Sequence, residues 1–226
     1  MPLITIGITC YNAENTIARA VGSAIMQSYP RTEIVIVDDC STDASMAIAE
    51  DFIKNHPDAR IIRHESNGGP GGARQTILQN AQGEFVVFFD DDDESLPERV
   101  QKQYERLVAY ESARGATLAA CYASGVRRYP NGYEKPLRVI GMHPVEPSGP
   151  AVADYLLFYR RKKGLCYGGT PTCALMARKS TFDAVGGFDP AFRRIEDIDF
   201  AVRLALAGGH FIGCPESLLI QHATES

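Results

Sequence analysis

The chain has 226 residues, 45% hydrophobic and 23% charged, an ordinary composition for one large domain with a substantial core. A net charge of −5 and a pI near 5.6 argue against a nucleic-acid-binding surface as its main business, and no apolar run approaches bilayer-crossing length. The opening M-P-L-I-T-I-G-I-T reads as a strand rather than a signal peptide. The six scattered cysteines (10, 40, 121, 166, 173, 214) form no C-x-x-C pair and read as buried reduced thiols, so a cytoplasmic protein is expected.

Residues 3–9 predict the first strand, followed by Cys10-Tyr11-Asn12 and a helix over about 13–27 with Ile17, Val21, Ala24 and Ile25 at helical spacing. A second buried strand over 33–37 ends in Asp38-Asp39, with Ser41 or Thr42 placed to cap the next helix. A short strand over 60–63 leads into the glycine-rich 67–72 and a helix ending near Gly83. The fourth strand, 85–89, runs straight into Asp90-Asp91-Asp92-Asp93. Asp93, Glu94 and Ser95 are expected to favour a helix start at Leu96 or Pro97. Repeated strand–helix alternation implies a right-handed, mostly parallel sheet with helices on both faces. Parallel strands put their polar endings along one edge, where open α/β sheets bind ligands. Adjacent carboxylates repel one another there, and oxygen ligands at this density suit a hard divalent ion such as Mg²⁺ or Mn²⁺.

The second half alternates less regularly. A helix is expected over 97–114 and a strand over 118–129, with a P-N-G turn at 130–132 into a returning strand from Tyr133. A loop over 141–150 precedes a helix over 151–159, which runs into Arg160-Arg161-Lys162-Lys163. That run reads as a solvated helix end favoured by the macrodipole, with an anionic substrate or lipid surface as the lesser reading. A strand over 172–177, a short helix over 180–185, the turn G-G-F-D at 186–189 and a helix over 195–207 follow. Glu196, Asp197 and Asp199 fall in that helix's first turn, where one carboxylate can face a cleft as general base while the others cap. A last strand over 217–221 reaches His222.

The glycine-rich 68–72 lacks the G-K-[ST] ending and follows the third strand rather than the first, so neither a Walker loop nor a dinucleotide fingerprint fits. Arg74, opening the next helix, is placed to meet an anion.

Six motifs in order carry a family resemblance: Thr9-Cys10-Tyr11-Asn12; Val37-Asp38-Asp39-Cys40-Ser41-Thr42-Asp43; Asn67, Gly69, Ala73 and Arg74, with Gln75 for a usual asparagine; Phe88, Asp90, Asp92, Asp93 and Pro97; Gly186 to Asp189; and Glu196 to Arg203. Nearly the whole chain resembles a family 2 glycosyltransferase of the GT-A fold. The resemblance implies a single domain over 1–226 with a Rossmann-like open sheet, a nucleotide-binding half over 1–96 and a smaller, mixed acceptor-side half over 97–226. It implies an NDP-sugar donor, expected to be a UDP-sugar, and a hydroxyl acceptor on a glycan or lipid-linked molecule. Thr9, Tyr11, Asp39 and Arg74 would lie on the nucleotide side, with Asp90 and Asp91 beside the donor. Asp90, Asp92 and His222 would ligate Mn²⁺ or Mg²⁺, and Asp197 would be the base of an inverting transfer. Peripheral attachment to the cytoplasmic membrane face accords with such acceptors.

Two other classes stay open. A nucleotidyltransferase making NDP-sugars needs a basic, glycine-rich loop after the first strand, where T-C-Y-N-A-E-N stands. A non-catalytic sugar-nucleotide-binding module is opposed by the presence of both Asp92 and Asp197.

Overall fold

The computed structural model describes residues 1–142, 145–165 and 167–223; Cys166 and part of the loop expected over 141–150 lie outside them. Four parallel strands form the N-terminal half: β1 (Ile4–Cys10), β2 (Thr32–Asp38), β3 (Ala59–Arg63) and β4 (Phe85–Asp90). β1 lies between β2 and β4, with Thr9 level with Val37 on one side and Asp90 on the other. The runs in β2 and β4 are apolar without alternation, and β1, which alternates Ile with Thr and Gly, is buried almost throughout, because helices cover both faces of the sheet, as parallel sheets require.

Helices α1 (Ile17–Ile25) and α2 (Ser45–Ile53) link strands laid down in one direction and pack on each other. Helix α3 (Gly69–Asn80) returns the chain across the sheet from β3 to β4, and right-handed crossovers put it on the opposite face. There it lies close to β1: a Cβ on Gly7 would sit 2.4 Å from Ile77 Cγ2, so glycine is what admits α3. The reversal of strand order beside β1 opens a crevice at the strands' carboxyl ends.

The second half comprises β5 (Asp93–Ser95), α4 (Arg99–Arg114), β6 (Ala119–Arg128), β7 (Glu134–Leu137), α5 (Pro150–Phe158), a 3-10 turn (Thr172–Ala174), β8 (Leu175–Arg178), α6 (Lys179–Val185), α7 (Glu196–Leu206) and β9 (His210–His222). The full sheet runs β3-β2-β1-β4-β8-β6-β9-β5, with β7 also paired to β6. The pairing turns mixed at β8, which is antiparallel to both β4 and β6. This gives the Rossmann-like open sheet with a mixed second half that the sequence implies.

Several local expectations change. Asp93, Glu94 and Ser95 do not start a helix. They pair antiparallel with Gln221, Ile220 and Leu219, and α4 begins only after Pro97. The last strand starts at His210, well before 217, because residues 210–214 pair with β6 ahead of a register shift. The strand expected over 172–177 opens with the 3-10 turn. Neither Ser41 nor Thr42 caps α2, whose N-cap is Ala44; both are engaged by the loop after β1.

Of the described cysteines, all are free; Cys10, Cys121, Cys173 and Cys214 are buried and Cys40 is half-buried. Burial pushes the Cys10 thiol up to about 12, with the Asp91 charge adding to it.

Candidate active site

Two loops at the carboxyl edge are tied to each other. The Asn12 N–H donates to Ser41 Oγ at 3.0 Å, the Ala13 N–H to Ser45 Oγ at 2.7 Å and the Glu14 N–H to Asp43 Oδ2 at 3.0 Å. In return the Thr42 N–H donates to Asn12 Oδ1 at 2.8 Å and the Ala44 N–H to Glu14 Oε2 at 3.1 Å. The polar side chains of Asn12, Glu14, Ser41, Asp43 and Ser45 thus satisfy the exposed backbone of the facing loop, which ties the two loops together. Asn12 and Cys40 carry left-handed φ values of 51° and 71°, a cost met where a chain must turn sharply at a site.

Asp39 sits at the centre of the next link. Its Oδ1 accepts the Gly68 N–H at 2.8 Å and lies 2.8 Å from His64 Nδ1, while Oδ2 accepts the Gly69 N–H at 2.7 Å. His64 Nε2 in turn meets Thr76 Oγ1 at 2.9 Å. Gly69 needs to be glycine here, with φ at 75°. The aspartate expected to read a nucleotide base is therefore also the clamp that holds the glycine-rich loop against β2. Arg193 closes the loop from outside, donating to Asn67 Oδ1 at 2.7 Å and to the Asn67 carbonyl at 2.8 Å.

The acidic run at the end of β4 spreads over both sides of the sheet edge. Burial and then the neighbouring charges push the carboxyls of Asp91 and Asp93 up to about 7, and raise Asp92 as well. Asp91 Oδ2 accepts the Tyr11 N–H at 2.9 Å, and the Asp92 carbonyl accepts Arg19 Nη2 at 2.6 Å. Beneath them lies Arg99, fully buried, donating to Ser95 Oγ at 2.8 Å and to the carbonyls of Phe88 and Cys173 at 3.0 and 2.6 Å. Burial lowers its pKa to about 10.

Asp90 has a closer cation. Arg74 Nη2 donates to Asp90 Oδ1 at 3.0 Å, and Nη1 is bonded to Glu196 Oε1. Arg74 is almost wholly buried, so its guanidinium is spent joining α3, β4 and α7. Glu196, expected only to cap, is a buried ion-pair partner instead. Asp199 also does not cap: it pairs with Arg203, which donates to the carbonyls of Val185 and Gly187 at the G-G-F-D turn. Gln75 Oε1 accepts the Phe188 N–H at 2.9 Å, so the replacement of asparagine keeps α3 tied to the same turn.

Asp197 is thereby left as the member of the acidic turn without a cationic side chain bonded to it among the described residues. Its Oδ1 accepts the Ile198 N–H at 2.8 Å, and burial, followed by the Glu196 charge, raises its pKa. Tyr122 lies nearby on β6, its hydroxyl buried without a hydrogen-bond partner among the described residues and its pKa raised by burial and then by the Asp197 charge. Ile195, just before this turn, has φ at 62°, a strained conformation for a β-branched residue.

Thr9, Tyr11, Asp39, Arg74, Asp90, Asp91 and Asp92 all line one cleft of about 430 Å³, together with Asn67 and Arg193. Asp197 does not line it, and His222 lies in a neighbouring cleft that Asp92 also borders. There His222 Nε2 faces Glu94 Oε2 at 3.3 Å. Asp90, Asp93 and Cys173 bring ligand atoms within 4.8 Å of one another, but burial raises the Cys173 pKa and a protonated thiol suits neither Mg²⁺ nor Mn²⁺. The better donor set is Asp90, Asp91 and Asp92, carboxylates on one cleft whose mutual repulsion only Arg74 relieves by an ion pair among the described residues. A hard divalent cation fits that chemistry. Sequence reasoning assigned no role to His64 or Arg193 and missed the pairing of Glu196; Arg193 and Glu196 have their partners more than a hundred positions away, and His64 reaches Asp39 on the preceding strand's end.

The glycosyl transferase family 2 model matches residues 5–181, and the chain belongs to that family. The succinoglycan biosynthesis protein ExoO of Rhizobium meliloti is 37% identical over 119 residues, covering 53% of this chain and 32% of that protein. The poly(ribitol-phosphate) β-N-acetylglucosaminyltransferase TarS of Staphylococcus aureus is 42% identical over 89 residues, covering 38% of this chain and 15% of that protein. The chain thus matches well under half the length of either relative. The crystal structure of TarS 1–349 in complex with UDP-GlcNAc superposes with a TM-score of 0.73 at 22% identity, over 99% of this chain and 59% of that one, a likeness of fold.

Proposed function

We propose that the chain transfers a sugar from a UDP-sugar to an acceptor hydroxyl, inverting the anomeric centre with the help of Mn²⁺ or Mg²⁺. The observation that carries this reading is the convergence of Tyr11, Asp39, Arg74 and Asp90 to Asp92 on one cleft at the switch point of the sheet. Exposed Tyr11 offers a ring face to the base, and Asp39 keeps one lone pair beyond its three partners to accept from the base or ribose. Arg74 does not reach out as a free anion binder; it holds Asp90 in place. Asp90, Asp91 and Asp92 would hold the divalent cation, which when bound supplies Lewis-acid neutralisation of the diphosphate leaving group. Asp197 takes the proton from the acceptor hydroxyl, its raised pKa making it a better base than a free aspartate. The choice of UDP is supported by TarS, whose fold this chain shares and whose crystals hold UDP and UDP-GlcNAc.

ExoO and TarS, by their names, work on succinoglycan and poly(ribitol-phosphate), so the acceptor is proposed to be a cell-envelope or extracellular glycan or its lipid-linked precursor. The site of action is then the cytoplasmic side of the membrane.

Titration calorimetry with a panel of NDP-sugars, with and without EDTA, tests the reading. UDP-sugars should bind only with Mn²⁺ or Mg²⁺ present, Asp92→Asn should weaken that binding without loss of fold, and the product should carry the inverted anomer. Full transfer by exhaustively chelated enzyme would remove the metal from the reaction.

A further inference from the structure

Helix α5 packs on α7 through a buried face that includes Val152, Ala153 and Tyr155. Its last turn does the opposite. Leu157, Phe158 and Tyr159 are 53%, 61% and 80% exposed, three consecutive apolar or aromatic side chains in solvent. Tyr159 ends the helix in a left-handed conformation, with φ at 54°. Four consecutive cations follow, Arg160, Arg161, Lys162 and Lys163, all exposed. Asp154 is the sole acid over residues 150–165, on a chain whose net charge is −5.

A helix end favours one or two cations through its dipole, which does not account for four of them beside three exposed apolar groups. Aromatic rings with cations at their margin are what the boundary of a bilayer selects: the rings sit among headgroups while Lys and Arg meet anionic lipid. The geometry keeps the two kinds of group on one surface. The Arg160 guanidinium lies 5.1 Å from the Phe158 ring centre, and that of Arg161 lies 5.7 Å from the Tyr155 ring centre. No helix among the described residues is long and apolar enough to cross a membrane, so attachment through this patch would be peripheral.

We infer that residues 157–163 form a docking surface for an anionic lipid bilayer, with Phe158 and Tyr159 entering the headgroup layer and the four cations bound to lipid phosphates. Because α5 rests on α7, the surface lies on the helix pair that carries Asp197. Its value for a lipid-linked acceptor rests on the function proposed above; the surface itself does not.

Co-sedimentation of the 226-residue chain with vesicles, without any sugar nucleotide, tests the surface alone, so failure of the transfer reading leaves the result untouched. The protein should pellet with vesicles of phosphatidylcholine mixed with phosphatidylglycerol, stay in solution with pure phosphatidylcholine, and be released by salt. The combined change R160Q, R161Q, K162Q and K163Q should weaken binding by about 100-fold or more. Phe158→Ser with Tyr159→Ser should lower the binding that survives at high salt, and both variants should keep the parent far-UV circular dichroism. Equal binding to neutral and anionic vesicles, undiminished binding by the four-cation variant, or capture by soluble polyphosphate without vesicle binding would overturn the inference.

Discussion

The guanidinium of Arg74 is bonded to the carboxylate of Glu196, 122 positions along the chain, with both groups buried. The same guanidinium holds Asp90 at 3.0 Å, so a single side chain sets the distance between the acidic strand end and the turn that carries Asp197.

Glu196→Gln should therefore behave as a structural lesion with a kinetic echo. Breaking one side of a buried ion pair costs about 3–5 kcal/mol. Denaturant unfolding should show a loss of that order, and transfer should fall as Asp90 and the start of α7 lose their common brace. A variant as stable and active as the parent would show that Arg74 needs only Asp90.

Asp39→Asn separates reading a base from holding a loop. UDP affinity should fall by about 1–3 kcal/mol, the range for a lost charged hydrogen-bond partner. Amide exchange at Gly68 and Gly69 should also quicken in the unliganded protein, because their acceptors are Asp39 Oδ1 and Oδ2. Weaker binding with unchanged exchange would assign Asp39 to the ligand alone.

Asp197→Asn removes the proposed base and keeps its shape. Transfer should drop by about 10²- to 10⁴-fold, while donor affinity, measured by calorimetry, stays near the parent value. In the parent, kcat/KM should rise with pH through a pKa above that of an ordinary aspartate, since burial raises it and the base acts deprotonated. An unchanged rate in the variant at saturating donor and acceptor would exclude Asp197.

Glu33 should account for part of the acid sensitivity of the fold. Burial alone would raise its pKa, but donors from Thr5, Arg60 and the Gln82 backbone outweigh that and hold it below the usual value. With the folded pKa depressed, its stabilisation is complete above the unfolded pKa of about 4.3 and is lost as pH falls through the folded value. Urea midpoints at pH 7 and near pH 3 should show the parent losing about 1–3 kcal/mol more than Glu33→Gln. Equal losses would rule the residue out.

The parallel half was legible because each buried strand is a short apolar run followed by polar residues, which locates both the strand and its end. That alone brought Thr9, Tyr11, Asp39 and Asp90 to Asp92 to one edge. β5 was not legible: Asp93, Glu94 and Ser95 resemble a helix start, and what makes them a strand is β9, distant in sequence. Likewise Pro215 and Glu216 break the regular pairing of β9 between Cys214 and Ser217 and hide its first residues, whose pairing with β6 shifts register there. Arg74 lines the cleft, and its burial and its bond to Glu196 depend on packing among α3, β4 and α7 that no local pattern encodes.

Ile195 carries one more consequence. A β-branched residue in the left-handed region costs about 1–2 kcal/mol, and Ile195 is also 60% exposed, so its side chain contributes little to the core. A screen for thermostability would be drawn to Ile195→Gly, which relieves the strain. It would at the same time loosen the peptide that aims Asp197, so heat-resistant variants chosen this way should emerge as poorer catalysts.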